Sequence, residues 1–253
     1  MPRTIWPWPR ILAHRGGGTL APENTLAAIR KGIEYGYRGV EFDVMLSADH
    51  VPVLMHDAEF GRTIRHSGKV ATTAASALTR MDAGGWFSAA FAGEPVPLYG
   101  DVVRFCRAHA IWMNVEIKPA PGTERRTGEV VGDLTDRLFA DETDAAKLPL
   151  FSSFSEEALE AARAVAPRIA RGLLVDAVPD DWRARLDALA CVALHCNHEK
   201  LNAETVAQVA ASGYGLFAYT VNDEPRARAL FDWGVNALCT DRIDLIDAHR
   251  FVA

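Results

Sequence analysis

The stretch Gly39-Val40-Glu41-Phe42-Asp43-Val44 alternates apolar residues with two carboxylates. Side chains two apart on a strand share a face. In a parallel barrel, Val40, Phe42 and Val44 turn toward the surrounding helices, and Glu41 and Asp43 point at the barrel axis. Two carboxylates aimed into an interior repel one another and are costly to bury unless positive charge lies between them. A divalent cation with oxygen ligands is the economical solution, and Mg²⁺ or Ca²⁺ suits such a site better than zinc. The competing arrangement is a pair neutralised by Arg or Lys.

The same alternation recurs in Asn114-Val115-Glu116-Ile117-Lys118. Val115 and Ile117 face the helices, while Asn114, Glu116 and Lys118 face inward. Glu116 can complete a three-carboxylate metal site and Lys118 can meet a phosphate oxygen; a structural Glu–Lys ion pair is the competing account. Two histidines stand at ends of apolar runs, His56 after Pro52-Val53-Leu54-Met55 and His14 after Ile11-Leu12-Ala13. Imidazole is the side chain best matched to proton transfer near neutral pH. Arg15 follows His14, and Gly16-Gly17-Gly18 then let backbone approach a ligand closely. Taken alone, either histidine would be structural; with three inward carboxylates they read as an acid/base pair.

Working outward, the candidate strands are Ile11–Arg15, Gly39–Leu46, Trp112–Lys118, Pro149–Phe154, Ala170–Val175, Cys191–Asn197, Gly215–Val221 and Ala237–Thr240. Eight is the number that closes a (β/α)₈, TIM-type α/β barrel. Helical segments separate them. Asn24 or Thr25 caps a helix bearing Leu26, Ile29 and Ile33, and Gly36 ends it. Glu156–Ala166, Ala203–Ala211 and Pro225–Trp233 are further helices. The span 57–98 breaks the rhythm and carries Gly61, Gly68, Gly84, Gly85 and Gly93. It reads as a small insertion after the second strand of a single-domain chain, since loops of such length are usually functional.

With 253 residues, 49% of them apolar, the chain can bury a sizeable core. Its net charge of -6 and lack of a dense basic run argue against nucleic acid or an anionic membrane as partner. Cys106, Cys191, Cys196 and Cys239 form no C-x-x-C pair and are expected to be reduced. The N-terminal MPRTIWPWPRILAHRGG lacks an apolar core with a small-residue cleavage site. No uncharged apolar stretch reaches the roughly 18 residues of a spanning helix. The expected setting is cytoplasmic and soluble; the oligomeric state stays open.

Weaker candidates at later strand ends are Ser152, Ser153, His195, Asn197, Tyr219, Asn222 and Asp241, each more often a cap or packing residue. Cys196 and His198 lack a second pair to complete a zinc site. Trp6-Pro7-Trp8-Pro9 reads as a hydrophobic plug at one end of the barrel.

These pieces resemble, in order and over essentially the whole chain, the bacterial glycerophosphodiester phosphodiesterases, in particular their cytoplasmic branch linked to glycerol-phosphate uptake. The matching segments are AHRGGGTLAPENTLAAI (13–29), GVEFDVMLSADHVPVLMHD (39–57), Arg62-Thr63 with Gly68, DAGGWFSAAFAGEPVPL (82–98), NVEIKP (114–119), LFSSFS (150–155), LFAYTVN (216–222) and GVNALCTD (234–241). The resemblance implies hydrolysis of a small glycerophosphodiester to sn-glycerol 3-phosphate and an alcohol, at the C-terminal ends of the strands. It makes His14 and His56 the acid/base pair and Glu41, Asp43 and Glu116 the holders of one divalent cation, Mg²⁺ or Ca²⁺. Arg15 and Lys118 become the phosphate contacts, and the insertion overhangs the mouth beside the glycerol part. Which histidine is acid and whether water or the glycerol 2-hydroxyl attacks stay open. A same-barrel phosphodiesterase that stops at a cyclic phosphate, and a non-catalytic phosphodiester-binding barrel, are the rival readings.

Overall fold

Short buried strands and one-sided helices alternate until the sheet closes on itself. The computed structural model describes residues 6–249. In chain order the elements are β1 (Ile11–Ala13), α1 (Leu26–Glu34), β2 (Gly39–Leu46), β3 (Pro52–Leu54), α2 (Ala75–Leu78), α3 (Tyr99–Ala108), β4 (Trp112–Ile117) and α4 (Glu124–Leu138). There follow β5 (Leu150–Ser153), α5 (Glu156–Val165), β6 (Ala170–Val175), α6 (Trp182–Leu189), β7 (Ala193–Asn197), α7 (Ala203–Ala211), β8 (Gly215–Tyr219), α8 (Glu224–Trp233) and β9 (Ala237–Thr240). Parallel pairing runs β1-β9-β8-β7-β6-β5-β4-β2, and β2 returns to β1 to close the barrel. All eight expected strands are present, several trimmed at their ends. The first stops at Ala13 because Arg15 adopts a left-handed conformation (φ 50°).

One strand was not anticipated. The apolar run before His56 is β3, which pairs antiparallel with the upper part of β2, Val44 opposite Leu54. It carries the chain back alongside β2, where Met55 N–H donates to Asp43 O, before the irregular segment begins. Ile64, Val70, Leu78 and Val96 from that segment pack with Met45, Val53 and Met55 into a cluster of their own.

The first helix settles its own cap. Asn24 lies in the left-handed region (φ 57°) and turns its amide to Asp43, so Thr25, with extended backbone, accepts from Ala28 N–H instead. At the far end of the barrel, Trp8 stacks on Trp112 with centroids 5.3 Å apart, and Trp6 lies 6.4 Å from Phe217. This is the expected plug. A side chain at Gly215, where β8 begins, would come within 3.0 Å of the Trp6 ring.

Val40, Phe42 and Val44, all fully buried, join the layer between strands and helices, as the alternation requires. Leu230 anchors α8 in the same layer and is fully buried. Leu230→Ala is expected to cost about 2–5 kcal/mol of unfolding free energy, measured by denaturant titration, because the packed layer cannot fully refill the cavity. All four cysteines are free and buried. Among the described residues no helix is long and apolar enough to cross a membrane.

Candidate active site

Glu41 and Asp43 project from β2 into the barrel mouth and are almost completely buried. Parallel register sets Asp43 beside Glu116 and Glu41 beside Asn114. Carboxylate oxygens of Glu41, Asp43 and Glu116 lie within 4.8 Å of one another. Positive charge reaches this trio from two sides. Lys118 Nζ is 3.1 Å from Asp43 Oδ1 and 3.9 Å from Glu116 Oε1, and Arg15 Nε is 3.7 Å from Asp43 Oδ2. Asn24 adds a side-chain N–H to Asp43 Oδ2 at 2.8 Å, and the Arg15 backbone N–H donates to Glu41 Oε2 at 3.1 Å.

That charge is unevenly shared. Burial works against ionisation at Asp43, but Lys118 and Arg15 outweigh it and hold the carboxyl below its ordinary range. Burial, reinforced by the Asp43 charge, pushes Glu41 up to about 7. The same two causes, in the same order, raise Glu116 well above normal. Three hard oxygen donors so placed fit Mg²⁺ or Ca²⁺, whose charge would let all three ionise. The cavity floor carries further unsatisfied polar atoms: Asn114 Oδ1, Ser152 Oγ and both ring nitrogens of His195 are buried without a partner. Such a floor suits a hydrated or polar occupant.

The two histidines flank the trio, each braced by its own carboxylate. His14 directly follows β1. Its Nδ1 meets Asp241 Oδ1 at 2.6 Å, and its Nε2 lies 3.7 Å from Glu41 Oε2. Asn222 fixes Asp241 by donating to Oδ2 at 3.0 Å and accepting from its backbone N–H at 2.8 Å. Close approach of the two chain segments depends on Gly18: at φ 54°, a Cβ there would lie 2.1 Å from Asp241 O. His56 Nδ1 meets Asp57 Oδ1 at 2.6 Å, and Arg62 Nε holds Asp57 Oδ2 at 2.6 Å. Arg62 and Arg15 both donate to Glu23 Oε1 at 2.8 Å, which ties Arg62 to the segment between β1 and α1.

The imidazoles diverge in basicity. At His14 burial lowers the pKa, but the Asp241 hydrogen bond with the Glu41 and Asp241 charges more than reverses this, so the net shift is upward. At His56 burial, together with Arg15 and Lys118, prevails over Asp43 and Asp57, and the shift is downward.

One cavity of about 330 Å³ is lined by all seven residues singled out from sequence: His14, Arg15, Glu41, Asp43, His56, Glu116 and Lys118. Of the weaker candidates, Ser152, His195 and Tyr219 line it too. Asp241 and Asn222 brace His14. Ser153 instead donates to Ile117 O, and Asn197 to Asp176, so both act locally. Cys196 faces backbone carbonyls and His198 contacts Arg226, so no zinc pair forms between them. Glu23, Asn24, Asp57 and Arg62 were not singled out as site residues. Their sequence signals were the capping position of Asn24, the adjacency of Asp57 to His56, and membership in the segments 13–29 and 39–57 and in Arg62-Thr63.

The whole chain has relatives. The model of the "Glycerophosphoryl diester phosphodiesterase family" matches residues 14–245. A putative glycerophosphodiester phosphodiesterase of Bacillus subtilis, YhdW, is 31% identical, covering 93% of this chain and 96% of its own. A glycerophosphodiester phosphodiesterase of Caldanaerobacter subterraneus is 28% identical over 91% and 93%. Among solved structures, an Oleispira antarctica phosphodiesterase in complex with the product sn-glycerol-3-phosphate superposes with a TM-score of 0.85. It is 35% identical, over 92% of this chain and 93% of that one. By sequence and by fold, the chain belongs to the glycerophosphoryl diester phosphodiesterase family and is an enzyme of that hydrolase class.

Proposed function

We propose that the protein hydrolyses glycerophosphodiesters to sn-glycerol 3-phosphate and an alcohol, with His14 and His56 carrying the protons. The observation that carries this reading is the meeting, in one cavity, of two carboxylate-braced imidazoles with three clustered carboxylates and two cations. Glu41, Asp43 and Glu116 would hold one divalent cation, which when bound supplies charge neutralisation for the phosphodiester oxygens. Arg15 and Lys118 add to that neutralisation from opposite sides of Asp43. Asp241 and Asp57 each grip Nδ1 of their histidine, which leaves Nε2 as the proton-transferring atom. The span 57–98 is read as an insertion over the mouth that meets the glycerol part. Its Trp86 and Phe87 share a second cavity of about 360 Å³ with His14 and Arg15.

The direct test is incubation of purified protein with glycerophosphocholine, with and without chelator, and detection of glycerol 3-phosphate through a coupled dehydrogenase. Chelator-sensitive release restored by added Mg²⁺ or Ca²⁺ is expected. Absence of release with several head groups under either metal would sink the reading, and a cyclic phosphate product would favour the rival that stops there.

The opposed histidine shifts give a pH signature. One imidazole must be charged and the other neutral, so kcat/KM should be bell-shaped, with one limb below and one above the ordinary 6.5. Asp241→Asn removes the Asp241 charge and weakens the hydrogen bond at Nδ1, two of the causes that raise His14, so the upper limb should move down toward that value. An unmoved limb would mean that Asp241 does not set the His14 proton affinity.

A further inference from the structure

Beneath the carboxylate trio lies a floor of polar groups that the acid/base chemistry does not use. Asn114, Ser152 and His195 line the same cavity as Glu41, Asp43 and Glu116. They are 2%, 1% and 0% exposed, yet Asn114 Oδ1, Ser152 Oγ and both ring nitrogens of His195 have no hydrogen-bond partner in the protein. Buried polar atoms are paired in the great majority of cases, and each one left unpaired costs about 1–3 kcal/mol. These atoms come from three different strands and face one cavity, so no single local distortion accounts for them.

Strand register sets this floor against the trio. Asn114 stands beside Glu41, and Ser152 beside Glu116. His195 comes from β7 and reaches across β6, where Gly172 is the neighbour of Ser152. A Cβ at Gly172 would lie 2.4 Å from His195 Nε2, so the absence of a side chain there admits the ring to the barrel interior. The face of the ring stacks on Phe217, with centroids 4.6 Å apart and planes at 23°. Burial pushes the imidazole pKa down to about 3, so the ring is neutral, with one N–H to donate and one lone pair to accept. Packing fixes the ring and leaves both nitrogens available.

A polar cavity with room for a water and several partners for it meets the conditions under which buried water belongs to a structure. The neighbouring trio gives that water a task. Mg²⁺ and Ca²⁺ take roughly six to eight oxygen ligands, more than three carboxylates supply at one oxygen each, and Mg²⁺ in particular keeps several waters. We propose that Asn114, Ser152 and His195 hold a water ligand of the cation on the floor side of the trio, with His195 as the positioning residue. The proposal rests on the cation site assigned above and gives the floor a part in metal affinity.

Calorimetric titration of the full, metal-free protein with Mg²⁺ and with Ca²⁺ tests it. His195→Phe keeps an aromatic ring against Phe217 but removes both nitrogens. Its Kd for the cation should rise by about 10–100-fold, the usual cost of losing a group that orients a metal ligand. His195→Gln returns a donor and an acceptor and should recover binding to within about threefold of native. An unchanged Kd in His195→Phe overturns the proposal. So does a His195→Gln protein as weak as His195→Phe, because ring shape would then matter and polarity would not. If neither variant folds, Ser152→Ala decides: it removes a partner of the same water, and a Kd equal to the native value overturns the proposal. A native protein that binds neither ion overturns the cation site itself, while the glycerophosphocholine assay tests hydrolysis separately, so the failures are distinguishable.

Discussion

His14→Ala and His56→Ala are each expected to lower turnover by about 10²–10⁴, the usual contribution of one positioned proton transfer. Each ring is held by a 2.6 Å contact to its own aspartate, so its orientation is fixed before substrate arrives. Neither histidine belongs to the carboxylate trio that would hold the cation. Both variants should therefore keep the rise in Tm that Mg²⁺ or Ca²⁺ gives the native protein. Initial-rate kinetics and thermal shift on the same preparations check the two halves together. A variant that loses the metal response would have had its histidine misassigned, as a ligand rather than a proton carrier.

Glu41→Gln should abolish metal-restored activity while making the metal-free protein more stable. In the native chain three buried carboxylates crowd within 4.8 Å, and burial with the Asp43 charge holds Glu41 near 7 against an ordinary 4.5. Because the folded value is the higher one, the folded protein binds the extra proton between those limits. Its contribution to stability is full below about pH 4.5 and is lost as pH rises through about 7. The metal-free native protein should accordingly lose stability across that window, and Glu41→Gln should flatten the loss. A cation at about 100 times its Kd would add about 2.7 kcal/mol. For a chain of this size that is a rise in Tm of very roughly 5–10 °C. Thermal melts at several pH values, with chelator or with metal, test each statement. A native metal-free protein whose Tm is flat between pH 4.5 and 7 would contradict the strain assigned to the trio.

Much of this site was legible because a strand's period of two is local. Once Val40, Phe42 and Val44 are assigned to the helix-facing layer, Glu41 and Asp43 have nowhere to point but inward, and the same holds for Glu116 between Val115 and Ile117. The helix ends were readable for a similar reason. Gly36, which ends the first helix, adopts φ 84°, a conformation that glycine reaches without a Cβ penalty. The strand β3 was missed because three residues give no alternation to count, and its pairing with β2 is a tertiary event.

The amino-acid sequence by itself determined the eight-strand barrel, the inward carboxylates, the two strand-end histidines and the two cations beside them, because each follows from patterns within a few residues. Tertiary structure alone decided which group braces His14. His14 and Asp241 are 227 positions apart and meet only because β1 closes the ring against β9. Asn24 leaves its cap for Asp43, 19 positions on, because β1 and β2 lie side by side. Closure joins chain segments whose separation carries no periodic signal, so the partner that raises the His14 proton affinity appears only once the barrel is shut.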